Sequence, residues 1–345
     1  MPTMKDVARE AGVSLGTVSN VLNGLPTVSN ENREKVEEAV RKLKFIPNTA
    51  ARSLKTNSSK SLGLSIPNIG NPFYPELARG AEDAAQKAGY SVFLCNNDRN
   101  AEKEKNYVRV LLEKNVDGII LVKPQVSMEE MDEIREKCGL VLVDIDGEVH
   151  ESYDVINVDD FGGTMKGLEL LYEYGHIRIA FISGSLESRS SRSRLEAYIR
   201  FREEKSLPVD DRFIKRGSYD WYSGYTCATE LLRMVNRPTA IFASNDLMAI
   251  GAMKAIRERR MDIPHDISVM GYDDIDMAAL CSPQLTTVRQ PKYELGQASV
   301  EMLLKRLCFR KAGVNEKGEH LVLPTDIIFR ESVGYAEREN GGENS

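Results

Sequence analysis

The sequence is poor in the residues that support most catalytic and metal chemistry. Its four histidines are scattered, and its five cysteines lack the spacing of metal ligands or of a disulfide framework. No His-Glu-x-x-His motif, Cys-x-x-Cys motif or glycine-rich phosphate loop is present. Residues 185–193 are rich in serine and arginine, but no base lies at a recognisable spacing to activate a nucleophile. We therefore expect no enzyme, metal or cofactor; a sugar-acting enzyme is the minor alternative.

Long apolar runs are also missing. No stretch approaches the length of a membrane span, and the N-terminus lacks the core of a signal peptide. At 345 residues the chain is too long for one ordinary core, so two or three domains are expected. These features predict a cytoplasmic, multi-domain protein with no membrane partner.

Charge is distributed unevenly along the chain. The whole sequence carries −6, but residues 1–60 hold ten Lys/Arg against six Asp/Glu, so this segment carries +4 and the remainder −10. A basic head on an acidic body is typical of a protein that approaches a polyphosphate with one end. A net charge of +4 over 60 residues is equally well explained by chance, so the charge distribution alone does not identify a DNA-binding segment.

The first 45 residues carry the pattern of three short helices. Thr3 occupies an N-cap position with Asp6 three residues later, and Ser14 and Ser29 are placed to cap the second and third helices. Gly12 permits the left-handed backbone of a tight corner. Apolar residues recur at helical spacing on one face of each helix. They are Val7, Ala8, Val18, Val21, Leu22, Val36, Val40 and Leu43.

The outer face of the second helix is small or polar, with Leu15, Gly16, Ser19 and Asn20 free to touch another molecule. This pattern predicts a helix-turn-helix whose second helix enters the major groove of DNA. Pro47 ends the third helix. Residues 48–55 can add one or two helical turns, which we expect to form only against DNA or a partner.

From Ser61 onward, short apolar strands alternate with amphipathic helices. This alternation predicts parallel sheets with ligand sites at the carboxyl ends of the strands, and two such series suggest two lobes with a cleft between them. The predicted strands are Leu62–Ile66, Ser91–Cys95, Gly118–Val122, Leu140–Asp144, Arg178–Ile182, Arg212–Lys215, Ala240–Ala243 and Ile267–Gly271. The predicted helices are Pro75–Ala88, Glu102–Lys114 and Met128–Lys137.

A series of short motifs, in order and at consistent spacing from Met4 to about Val333, resembles the LacI/GalR family of bacterial transcription regulators. The motifs include residues 5–8, 11–14, 17–19, 21–24, 45–48, 51–54, 71–74, 116–118, 175–176, 237–240, 245–252, 271–273 and 290–291. The resemblance implies an N-terminal all-α helix-turn-helix DNA-binding domain followed by an α/β two-lobed, periplasmic-binding-protein-like effector domain.

The resemblance also implies chain crossovers near Asp159, Gln290 and Leu323. The predicted parts are a DNA-binding headpiece (1–47), a hinge helix and linker (48–60), a first lobe (61–160 and 291–322), a second lobe (161–290 and 323–336) and a disordered tail (337–345).

In the family, Leu15, Gly16 and Asn20 occupy the positions that face base edges. The Asn20 side chain can hydrogen-bond to adenine, and Leu15 can lie against a thymine methyl. The alternative interpretation of Leu15 is a packing role. Many relatives have arginine at the Asn20 position, so the operator sequence stays open. Leu54 matches a hinge leucine that opens a base step from the minor groove; the alternative is a core leucine. The further predicted DNA contacts are Thr3, Ser14, Thr17, Ser19, Asn23, Asn48, Arg52 and Lys55.

The resemblance places the effector between the lobes. An aromatic face with fixed polar groups is typical of a sugar site. Phe73 and Tyr74 are either ring-stacking residues or core aromatics, and Arg194 fits the family arginine better than Arg192. The predicted effector contacts are Asn71, Phe73, Tyr74, Arg192, Arg194, Tyr219, Trp221, Asn245, Asp273 and Gln290. Asp144, Asp159 and Asp160 are open between ligand contact and capping.

Residues that differ from those of known relatives reduce the range of expected ligands. Ribose-binding relatives tend to have arginine at the position of Ile145, and the purine-binding relative has arginine at that of Ser188, so neither ribose nor hypoxanthine is favoured. We expect a homodimeric repressor that binds a pseudo-palindromic operator in double-stranded DNA and responds to a sugar-like effector. The alternative is a regulator of the same fold with a phosphoprotein co-regulator, because residues 69–80 resemble that branch locally.

Overall fold

The computed structural model describes residues 2–22, 25–45, 58–145, 151–314 and 316–336. The chain divides into two compact units, Met1–Ser59 and Lys60–Ser345. No helix among the described residues is both long enough and apolar enough to cross a bilayer.

The first unit contains three helices, α1 (Met4–Ala11), α2 (Leu15–Leu22) and α3 (Asn30–Leu43). Thr3 and Asp6 cap each other's backbone amides, and Gly12 adopts a φ of 65° at the end of α1. The Ser14 hydroxyl accepts from the Thr17 amide at 3.0 Å, and Ser29 caps α3. The predicted caps and corner are confirmed. The apolar faces meet in a small core of Val7, Ala8, Ala11, Val18, Val21, Val36, Ala39 and Phe45.

The second unit contains two six-stranded sheets. The first is wholly parallel, in the order β11-β5-β4-β3-β1-β2. Its strands are β1 (Ser61–Ile66), β2 (Ser91–Asn96), β3 (Gly118–Val122), β4 (Gly139–Val143), β5 (Asp154–Val158) and β11 (His320–Leu323). The helices that accompany this series are α4 (Phe73–Lys87), α5 (Ala101–Glu113), α6 (Met128–Lys137) and α12 (Lys292–Ala312).

The second sheet has the order β12-β10-β9-β8-β6-β7, and only the β10–β12 pair is antiparallel. Its strands are β6 (Ile179–Ser183), β7 (Ile214–Arg216), β8 (Ala240–Ala243), β9 (Ser268–Asp273), β10 (Thr286–Arg289) and β12 (Asp326–Ile328). Its helices are α7 (Asp160–Glu173), α8 (Arg189–Glu204), α9 (Trp221–Leu231), α10 (Asp246–Glu258) and α11 (Asp276–Leu280).

The chain passes between the two sheets three times, after β5, after β10 and after β11. The two-sheet α/β architecture expected from the strand–helix alternation is confirmed. One predicted strand differs: Arg212–Lys215 begins as a 3₁₀ turn (Asp211–Phe213), and only Ile214–Arg216 is extended. The turn forms because the Asp210 carboxylate accepts from the Arg212 amide at 3.0 Å.

Each sheet carries one pair of helices that touch through glycine. A side chain on Gly80 of α4 would strike the Tyr293 carbonyl, and one on Gly296 of α12 would strike the Leu77 carbonyl. Gly224 of α9 and Gly251 of α10 stand in the same relation to backbone atoms of their partner helix. The absence of Cβ atoms therefore sets the close spacing of both helix pairs.

Candidate nucleic-acid interface and ligand cleft

The outer face of α2 is open to solvent at its N-terminal end. Leu15 is 45 % exposed and Gly16 is exposed, whereas Val18 and Val21 on the opposite face are buried. Thr17, Ser19 and Asn20 are half-buried, and the Thr17 hydroxyl lies 2.9 Å from that of Ser14. Thr3 is exposed beside α1. The exposure of Leu15 leaves its side chain accessible to another molecule, and its contact with a base stays a prediction.

Cations of the first unit fall into two groups. Arg9, Lys35 and Lys42 form ion pairs with Asp6, Glu31 and Glu10. Among the described residues, by contrast, Lys5, Arg41 and Lys44 are exposed and form no ion pair. Unpaired cations are the ones available to phosphates.

Five predicted DNA contacts lie outside the described residues: Asn23, Asn48, Arg52, Leu54 and Lys55. The same holds for most of the predicted hinge (48–60) and for the predicted tail (337–345).

In the second unit, the predicted effector residues follow the carboxyl ends of strands. Several of them form hydrogen bonds or pack against other residues of the protein. The Asn71 side-chain Oδ1 accepts from the Phe73 amide at 3.1 Å, at the start of α4. Phe73 and Tyr74 are buried in the core beneath the first sheet, with ring centroids 5.2 Å apart. Burial raises the pKa of Tyr74 although the charge of Lys123 opposes the shift. Both rings thus pack among core residues of the first sheet, and their stacking on an effector stays a prediction.

A row of alternating charges crosses the cleft, and two of its members, Lys123 and Arg189, were not predicted. The Lys123 ammonium lies 2.8 Å from Asp144, and the Arg189 guanidinium lies 3.4 Å from the same carboxylate. Arg189 also lies 2.8 Å from Asp160, which in turn lies 2.8 Å from Arg194. Lys123, Asp144, Arg189, Asp160 and Arg194 are called the charge row below.

Lys123 and Asp144 favour each other's charged form despite burial. Burial disfavours the ammonium of Lys123, but the Asp144 carboxylate outweighs it and raises the pKa of Lys123 above its usual value. Burial likewise opposes ionisation of Asp144, but Lys123 and Arg189 hold the pKa of Asp144 below its usual value. Asp144 and Asp160 are thus ion-pair partners, whereas Asp159 caps α7 by accepting from the Gly162 amide at 2.8 Å.

The two candidate arginines separate clearly. Arg194 is buried, donates to Asp160 and to the Ser244 carbonyl, and lies with its guanidinium 3.6 Å from the Tyr272 ring centroid. Arg192 is exposed and donates to the Leu186 carbonyl at 2.5 Å. Arg194, one turn into α8, is therefore the arginine that the structure directs inward.

The aromatic pair after β7 also separates. Tyr219 is buried, and its hydroxyl is hydrogen-bonded to that of Ser191. Trp221 is 49 % exposed and packs edge-on against Tyr222, and neither Trp221 nor Tyr219 is among the residues that line the cavity described below. Of the two aromatic residues, Tyr219 is the buried one, and its contact with an effector stays a prediction.

The remaining predicted residues are paired with protein atoms. Asn245 caps α10 by accepting from the Met248 amide at 3.0 Å, and it donates to the Tyr219 carbonyl at 3.2 Å. Asp273 accepts from Gln290 at 2.6 Å, and its backbone has a φ of 113°. Burial, opposed by the charge of Arg194, raises the pKa of Asp273 to about 6.

A cavity of about 290 Å³ lies at the carboxyl ends of both sheets. Its lining comes from loops after β1, β2, β3, β4 and β6, and includes Arg99, Lys123, Asp144, Ser188 and Arg189. It is polar and of the size of a small metabolite. Among the described residues no group of three His, Cys, Asp or Glu side chains is arranged to hold a metal.

Two family models match the chain. The model of bacterial regulatory proteins of the lacI family matches residues 3–48, and that of the periplasmic binding protein-like domain matches residues 168–333. The chain is 35 % identical over 333 residues to the HTH-type transcriptional repressor PurR of Haemophilus influenzae (strain PittEE), a match that covers 96 % of this chain and 99 % of the relative.

Solved structures agree over the same length. The Lac repressor dimer bound to operator and the anti-inducer ONPF matches with a TM-score of 0.84 and 31 % identity, covering 96 % of this chain and 99 % of that chain. A complex of the transcriptional regulator CelR with cellobiose matches with a TM-score of 0.72 and 27 % identity, covering 96 % of this chain and 100 % of that one.

Proposed function

Because the chain belongs to the LacI family of bacterial regulatory proteins, we propose that it is a homodimeric, sequence-specific transcriptional repressor whose operator affinity is set by a small effector. The observation that carries the proposal is the exposed outer face of α2, held by a capped helix-turn-helix in the first unit. The full-length match to a repressor and to an operator-bound dimer supports it.

In the proposed complex, α2 enters the major groove, where Leu15 and Asn20 meet base edges and Lys5, Arg41 and Lys44 supply charge for phosphates. One headpiece offers few base contacts, so two copies on a pseudo-palindrome are needed for useful specificity. Residues 48–60 form the proposed hinge, with Leu54 entering the central minor groove.

The effector binds in the cleft between the lobes; the similar regulator CelR was solved as a complex with cellobiose. The cleft suits a small polar metabolite, because its cavity is compact and lined by hydrogen-bonding groups. We favour a sugar or sugar derivative. The name of the PurR relatives favours a purine-type ligand as the second candidate. Either ligand regulates by binding one arrangement of the lobes better than another.

Selection of operator sequences from a random DNA library by the full-length chain tests the proposal. We expect a pseudo-palindromic site that binds on the order of 10³-fold or more tightly than unrelated DNA, with two chains per site by analytical ultracentrifugation. Binding that is equal for all sequences would contradict it. A small ligand that alone changes operator affinity separates effector control from control by a phosphoprotein.

A further inference from the structure

Arg99, an exposed residue, brings a cation to the cavity. It follows β2 in a left-handed conformation, φ 57°, and its amide donates to the Asn97 side chain at 2.8 Å. Its guanidinium lies 5.2 Å from the ring centroid of Tyr219, which belongs to the other sheet. Among the described residues it forms no ion pair, and it lines the cavity. The N–H groups of the Arg99 guanidinium can therefore donate to a carboxylate or a phosphate.

The N-terminus of α8 opens onto the same cavity. Ser188 at the N-cap makes no side-chain cap hydrogen bond, and the first turn of this 16-residue helix holds no acidic residue. It holds a cation instead, Arg189. The partial positive charge of a helix N-terminus favours anions and disfavours cations, and here neither the N-cap nor the first turn supplies an anion; the nearest carboxylate in sequence is Glu187, an exposed residue of the cavity lining that precedes the N-cap. Asp159 and Asn245, by contrast, cap α7 and α10 with their side chains.

The charge row has one more cation than it has carboxylates, and the rest of the cavity lining adds one cation, Arg99, and one carboxylate, Glu187. Its three cations, Lys123, Arg189 and Arg194, share two carboxylates, Asp144 and Asp160. All five side chains are at most 20 % exposed, so solvent screens the excess poorly. Lys123 directs its remaining hydrogen bonds across the cleft to the hydroxyls of Ser188 at 3.2 Å and Ser190 at 2.8 Å.

These three features meet at one cavity of about 290 Å³. We propose that the ligand of this cleft carries a compact anionic group, a phosphate or a carboxylate, which Arg99, Lys123 and the N-terminus of α8 bind together. The proposal rests on the proposed function, since it assigns the chemical class of the effector. An anionic ligand would accept hydrogen bonds at the N-terminus of α8, and its charge would offset the net positive charge of the charge row.

The test measures the melting temperature of the full-length chain in inorganic phosphate and in acetate, each against sodium chloride of equal ionic strength. Glucose 6-phosphate, gluconate and glucose are compared in the same way. Arg99→Gln removes the unpaired cation. Arg200→Gln is the matched control, because Arg200 lies on the exposed side of α8 and pairs with Glu204. We expect the apparent affinity for the anionic probe to fall about tenfold or more in Arg99→Gln and to persist in Arg200→Gln.

Ser188→Asp provides a second variant. A carboxylate at the N-cap should raise the melting temperature without ligand and remove the increment from the anionic probe, because it fills the same site. Phosphate-specific increments identify a phosphate ester, and increments with acetate or gluconate identify a carboxylate.

Equal stabilisation of all variants would be a general salt effect and would overturn the proposal. Stabilisation by glucose as strong as by glucose 6-phosphate would overturn it, as would no increment with any probe. Operator affinity measured on the same preparation shows separately whether the proposed repressor function stands.

Discussion

The Lys123 ammonium donates to the Ser190 hydroxyl at 2.8 Å, although the two residues follow strands of different sheets. Arg189 makes a second crossing, at 3.4 Å from Asp144. Side chains of the protein itself therefore join the two sides of the cleft. A ligand that enters must exchange these contacts for its own, and its differential affinity limits how far it can shift the lobes.

We expect Leu54→Ala to weaken operator binding far more than binding to unrelated DNA. The unstacking of a base step is specific to the bent operator complex and is lost with the wedge. Fluorescence anisotropy with operator and scrambled duplexes at one salt concentration measures both. Equal losses on the two duplexes would contradict a minor-groove role for Leu54.

Arg194→Ala should lower the free energy of unfolding by about 3–5 kcal/mol. It deprives the buried Asp160 of one partner and the Tyr272 ring of the stacked guanidinium. Urea unfolding measures the change. Arg200→Ala, on the exposed side of the same helix, should cost at most about 1 kcal/mol. Similar losses in the two variants would show that burial of Arg194 is not what makes it important.

The pH dependence of stability should carry a component from Asp273. The pKa of Asp273 is about 6 in the folded chain, above the ordinary value of 3.8 for an aspartate, so folding takes up a proton between these pH values. The corresponding stabilisation is full below about pH 4 and is lost as the pH rises through 6. Arg194, Lys292 and Lys123 oppose this shift, and the pKa of nearby Asp246 is also raised by burial and by the charge of Asp273.

Asp273→Asn isolates that component. The melting temperature of the variant relative to the unsubstituted chain should increase between pH 5 and pH 7.5. Asp211→Asn, at an exposed position, should leave the difference flat. A flat difference for Asp273→Asn as well would mean that Asp273 is ionised throughout this range.

Gly80→Ala should destabilise the second unit by about 1–3 kcal/mol, because the added methyl meets the Tyr293 carbonyl where α4 and α12 touch. Gln86→Ala, on the exposed face of α4, should be close to neutral. Chemical denaturation followed by circular dichroism compares the two. A stabilising effect of Gly80→Ala would show that the helices separate at little cost.

The first unit was predictable because its signals are local. Thr3 and Asp6 are three residues apart, and the conformation of Gly12 follows from a single residue type at a corner. Asn245 was a different case. Its match to a family motif suggested a ligand contact, whereas the local pattern of an N-cap followed by a helix already indicated the capping role that the structure gives it.

The charge row could not be found from the sequence. Lys123 meets Ser188 and Ser190 across separations of 65 and 67 residues, and no periodicity links loops that meet only after two sheets have folded. Composition could not separate Tyr219 from Trp221 either, because both are aromatic and adjacent to one helix start. Only the packing shows that one ring is buried and the other exposed.

The three passages of the chain between the sheets have a mechanical consequence. One connecting segment would leave the two sheets many relative motions, whereas three neighbouring connections permit fewer. A ligand in the cleft therefore acts on two sheets whose relative motion has few degrees of freedom. We therefore expect a ligand that changes the contacts of one sheet to change the orientation of the other sheet as well.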